Sequence, residues 1–92
     1  MSSAIPEQLT STVALVERAY PKGVPEHAYF PLLNVLSGYL CEEHVAMLAR
    51  LWSNRPESAL NDALIAKTLK VNTEDVKQKL DRVGFAEWAS EQ

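Results

Sequence analysis

Apolar residues recur at helical spacing along most of the chain. Ile5, Leu9, Val13, Val16 and Tyr20 draw one stripe, which predicts a first helix ending at Tyr20. Pro21 stops it, because the residue before a proline is pushed out of the α region. Gly23 supplies a positive φ in the turn that follows. Pro25 restarts the chain at a first-turn position, where its missing N–H costs nothing. A second helix is predicted from Pro25 to Ser37, with Tyr29, Phe30, Leu32, Leu33 and Leu36 inward and Pro31 kinking or dividing it. Gly38 is expected in the C′ place after its end. A third helix opens at Glu42 with Cys41 as N-cap, and Glu42 and Glu43 suit its positive end. Val45, Leu48 and Trp52 make its buried side, flanked by Met47 and Leu51.

The stretch from Ile65 to Leu80 has the spacing of two short helices meeting at a tight turn, which resembles a helix-turn-helix. Leu64, Ile65 and Leu69 are expected to face Val76, Leu80 and Val83, with Ala66 small enough for close approach of the two backbones. Asn72 is placed as N-cap of the later helix, with Asp75 at N3 and a staple between Val71 and Val76. Gly84 stands where a Schellman C′ residue belongs, with Leu80 at C3 and Phe85 at C″. Lys70 occupies a position often held by glycine in such turns. Ser53 to Ser58 is the one loop-like segment with a shift in composition, too short to separate two domains. The expectation is an all-α fold, a single domain over residues 1–92 built as a bundle of about five helices.

Composition narrows the function classes. The chain has 92 residues and a formal net charge of −3, without the basic excess with which dedicated nucleic-acid binders neutralise phosphates. One cysteine, Cys41, excludes an intrachain disulfide and fits a reducing compartment. The first residues lack a basic n-region and a long apolar run, and no later stretch approaches the roughly 20 apolar residues of a spanning helix. The expectation is a cytoplasmic monomer with no membrane segment.

Candidate chemistry is sparse. A DNA-reading second helix would present Asn72, Thr73, Lys77, Gln78 and Arg82, of which Asn72 and Gln78 suit adenine and Lys77 suits guanine or a phosphate. Glu74 and Asp81 fall on the same presumed face and repel the backbone, so a helical corner used for packing outweighs the DNA reading. Cys41 and His44 have the spacing of half a metal site, with His27 the only other histidine, and four ligands do not assemble. Cys41 reads as a partly buried cap residue. The pairs Glu42–Glu43 and Glu74–Asp75 read as helix starts, and no nucleophile and base stand in a known motif. The expectation is no enzyme, no cofactor and no metal. A protein is the favoured partner, with a nucleic acid as the alternative.

Three segments carry a family likeness: Ala19-Tyr20-Pro21-Lys22-Gly23-Val24-Pro25, Tyr29-Phe30-Pro31-Leu32-Leu33, and the acidic opening Glu42-Glu43 with Val45. Together with Thr73-Glu74-Asp75-Val76, Leu80 and Gly84, they resemble the small actinobacterial proteins of domain-of-unknown-function family 3349. The resemblance covers most of the chain. It implies a bundle of about five helices and carries over no activity, cofactor or catalytic residue. Gly84-Phe85 departs from the Gly-Trp with which the family usually ends this motif, and the connection before Thr73 is shorter than the family's.

Overall fold

The computed structural model describes residues 7–53 and 55–92. After a 3-10 turn at Glu7–Leu9 come α1 (Thr10–Ala19), α2 (Glu26–Ser37) and α3 (Glu42–Trp52). A second 3-10 turn at Pro56–Ser58 leads into α4 (Ala59–Thr68), α5 (Glu74–Asp81) and a short α6 (Phe85–Ser90). Five longer helices thus make the expected all-α bundle, and α6 is an addition to it. Ile5, the first member of the predicted stripe, lies outside the described residues.

The buried side of α1 is broader than the predicted stripe. Leu9, Thr12, Leu15 and Val16 are buried, while Val13 is half-buried against the core. Thr12 is fully enclosed, and its hydroxyl oxygen accepts a 2.9 Å hydrogen bond from the Trp88 indole N–H of α6. That bond satisfies both polar groups and offsets their desolvation. It also joins segments 76 residues apart.

Tyr20 ends α1 as predicted, and its carbonyl accepts from the Gly23 N–H at 2.9 Å. Gly23 has φ 102°, the left-handed region that favours glycine. Pro25 is the cap before α2, with its carbonyl accepting from Ala28, so the helix proper starts one residue later than expected. The helix then runs unbroken through Pro31, which has no N–H to give to the His27 carbonyl one turn earlier. Gly38 is right-handed at φ −77°, a correction to its expected C′ role, because Tyr39 and Leu40 close the end by bonding back to the Leu36 carbonyl.

Two buried clusters fill the bundle, and α2 contributes to both. One joins Leu15 and Val16 of α1, Leu32 and Leu36 of α2, Leu48 of α3, Val76 and Leu80 of α5, and Trp88 of α6. The other joins Tyr29 and Leu33 of α2 to Val45, Ala46 and Ala49 of α3 and to Ala59, Ala63 and Ala66 of α4. Leu40 and Trp52 pack against both.

The helix pairing expected around the turn before α5 is not what forms. α4 packs on α2 and α3, whereas α5 packs on α1, α2 and α6. Leu64 and Ile65 are exposed and Leu69 is half-buried, so they do not face Val76 and Leu80 as expected. Asn34 of α2 accounts for the geometry. Its side-chain amide donates to the carbonyls of Ala66 at 2.7 Å and Leu69 at 2.9 Å, which would otherwise lack partners at the end of α4. Leu69 then leaves in extended conformation, φ −70° and ψ 131°. The connection carries α5 away from α4 and needs no left-handed residue, so Lys70 fits without strain.

Candidate functional site

The residues marked as a reading face lie on the connection and on α5. Asn72 is occupied locally, its Oδ1 accepting from the Glu74 N–H at 2.9 Å in an Asx turn. The N-cap of α5 is Thr73, whose carbonyl accepts from Lys77, a correction by one residue to the cap expected at Asn72. Thr73 is half-buried, while Lys77, Gln78 and Arg82 are exposed. Because α5 turns Val76 and Leu80 inward, helical periodicity sets Lys77 and Gln78 on the same outer side as Glu74 and Asp81. The acids therefore do share this face, and its charge is mixed.

The end of α5 carries a long-range clasp. Gly84 is left-handed at φ 103°, as the Schellman reading required, although its N–H reaches the Asp81 carbonyl only at 3.5 Å. The adjacent Val83 carbonyl instead accepts from the Arg18 guanidinium of α1, Nε at 3.2 Å and Nη2 at 3.0 Å. Gly84 also opens α6, its carbonyl accepting from Trp88. Phe85 and Trp88 stack at 5.6 Å, and exposed Tyr39 meets both edge-on at 5.5 Å.

The surface of α4 is the most unusual part of the molecule. Its alanines point inward while its large aliphatic residues point out: Ala59, Ala63 and Ala66 are buried, and Leu60, Leu64 and Ile65 are 53%, 46% and 40% exposed. Small inner residues let α4 approach α2 and α3 closely, so the helix is held without using its leucines. Met47 and Leu51 of α3 are exposed as well. Sequence reasoning missed this surface by assigning Leu64 and Ile65 to the core. The signal was present, since Ala59, Ala63 and Ala66 themselves stand at i, i+4 and i+7.

Two clefts flank α2. The first, of about 220 Å³, is lined by Glu26, Tyr29, Phe30, Trp52, Arg55 and Asp62 among others. Tyr29 donates to Asp62 Oδ2 at 2.7 Å and meets Phe30 edge-on at 5.0 Å. Burial above all, then the bond to Asp62, pushes its phenol up to about 12, against a smaller opposing effect of Ser53. The second, of about 530 Å³, lies along the Pro21–Pro25 corner beside Tyr20 and Lys79. Cys41 is exposed at the start of α3, a correction to its expected partial burial: its carbonyl caps Val45 while its side chain makes no cap bond.

A family model for proteins of unknown function, DUF3349, matches residues 7–88. The chain belongs to the DUF3349 family. The match takes in the Pro-rich corner, α4 and its outward leucines, and the clasp at Gly84, so the features above are those of a DUF3349 domain. Comparison with curated proteins and with solved structures gave no match. No described helix of this DUF3349 protein is long and apolar enough to cross a membrane.

Proposed function

We propose that this DUF3349 protein is a non-enzymatic module that recognises another protein through the outer face of α4. The observation that carries the reading is the inversion of that helix, with alanines buried and Leu60, Leu64 and Ile65 open to solvent. Contiguous exposed aliphatic side chains on a small domain mark surfaces that a partner covers. Burying the exposed half of a leucine contributes about 1 kcal/mol, enough for three such residues to supply about a hundredfold in affinity. The partner offers an apolar patch or one side of an amphipathic helix. The domain works as a monomer in the cytoplasm, a setting that a lone exposed cysteine suits.

A nucleic-acid reading has weaker support, since Glu74 and Asp81 share the outer side of α5 with Lys77 and Gln78. The test is affinity capture from native lysate with the parent protein and with a Leu60→Glu/Leu64→Glu variant whose helicity is checked by circular dichroism. A specific protein retained by the parent and lost in the folded variant is expected. The same protein retained by both would overturn the assignment to α4.

A further inference from the structure

The cleft along the Pro21–Pro25 corner is set apart from the α4 surface and has a chemistry of its own. Its walls are apolar, formed by Ala19, Tyr20, Pro21, Val24 and Pro25, and its nitrogen-bearing lining is Lys22, Lys79 and the His27 imidazole, with no carboxylate among the lining residues. Lys79 Nζ lies 5.9 Å from the centroid of the Tyr20 ring. Lys22, His27 and Lys79 form no ion pair among the described residues, where the pair formed is Lys67 with Glu42. The walls are stiff, because two prolines and a left-handed glycine fix the backbone between α1 and α2.

Tyr20 lends the cleft its ring and not its hydroxyl. The residue is 8% exposed, and its hydroxyl is a buried polar atom with no hydrogen-bond partner. A buried hydroxyl left unpaired costs free energy that one acceptor would recover. Asp75, whose charge acts on the phenol, forms no hydrogen bond with it. The corner therefore offers an apolar floor and basic side chains, with the enclosed Tyr20 hydroxyl outside a ligand's reach.

We propose that this cleft binds a small organic phosphate, a phosphomonoester on an apolar body, with Lys22, Lys79 and His27 facing the phosphate and the body lying against Tyr20, Pro21 and Val24. A doubly charged phosphate matches two lysines and an imidazole better than a single carboxylate does. The apolar walls favour an esterified phosphate over the free ion.

The test is a titration of the isotope-labelled full chain with phenyl phosphate, inorganic phosphate and phenol, followed by NMR amide shifts. Phenyl phosphate is expected to give saturable shifts at Lys22, Gly23, Val24 and Lys79 and to bind about tenfold more tightly than either control. Lys22→Ala/Lys79→Ala is expected to weaken it about tenfold, the loss typical of charge-assisted hydrogen bonds. Phenol binding as well as phenyl phosphate, shifts centred elsewhere, or lysine variants with parental affinity would overturn the site.

Discussion

Replacing Thr12 by Val removes one hydrogen bond and almost nothing else. The two side chains have the same branched shape and similar helix propensity, so neither a cavity nor a propensity change accompanies the loss. Thr12 is 0% exposed and Trp88 4% exposed, so no water reaches the indole N–H once its acceptor at 2.9 Å is gone. An unsatisfied buried donor costs about 1–3 kcal/mol. About 2 kcal/mol is expected here, or roughly 10 °C in Tm for a domain of this size. Urea denaturation followed by far-ultraviolet circular dichroism measures it without depending on tryptophan emission. In a Trp88→Phe background no donor remains to be orphaned, so Thr12→Val should cost less than about 0.5 kcal/mol, and the difference between backgrounds isolates the bond. Equal cost in both backgrounds, or parental stability of Thr12→Val alone, would refute the claim that this contact fastens α6 to α1.

Gly84→Ala makes only ordinary van der Waals contacts, with Glu87 Oε1 at 3.6 Å and Arg18 Nη2 at 3.8 Å from the added Cβ, so its cost of about 1 kcal/mol is conformational and an unchanged denaturation midpoint would contradict it. Tyr29 holds its proton up to about 12 when folded against 10.0 in its ordinary state. Its contribution to stability is therefore complete below pH 10 and is lost as pH rises from about 10 to 12. Tyrosinate absorbance should show one late-titrating phenol that disappears in Tyr29→Phe, and titration of all tyrosines near their ordinary value would count against the burial. Random-sequence duplex DNA is expected to bind weakly at physiological salt, because Glu74 and Asp81 oppose the phosphates. Sub-micromolar affinity in fluorescence anisotropy would restore the DNA-reading hypothesis for α5.

Local signals were the legible part of the sequence. Pro21, Gly23 and Gly84 each act through the backbone within a few residues and perform the turn their chemistry prescribes, while Asn72 makes an Asx turn one residue before the Thr73 cap. Burial of Tyr20 and most of the inward face of α2 followed from periodicity in the same way, whereas on α3 Val45 and Leu48 are buried as expected but Trp52 is half-buried and Met47 and Leu51 are exposed. The pairing of helices was not legible, because Asn34 decides it from α2 by bonding carbonyls 32 and 35 residues away. Hydrophobicity alone also favoured leucine over alanine as the buried residue of α4. Close packing against α2 and α3 reverses that order, since only the alanines fit between the backbones. The same reversal left Leu60 and Leu64 outside, so the surface with the best claim to function was hidden by a packing rule that usually holds. The Tyr20 hydroxyl was beyond reach for a similar reason, as a missing partner is visible only once every neighbour is placed.

The α4 surface can be tested most directly by site-specific photo-crosslinking in cells, with a photoreactive residue at position 60 or 64 on α4 and, for comparison, at position 78 on the outer side of α5. The same discrete adduct with one protein from positions 60 and 64, and none from 78, is the result the inverted helix predicts. No adduct from α4, or an adduct formed only through α5, would contradict it.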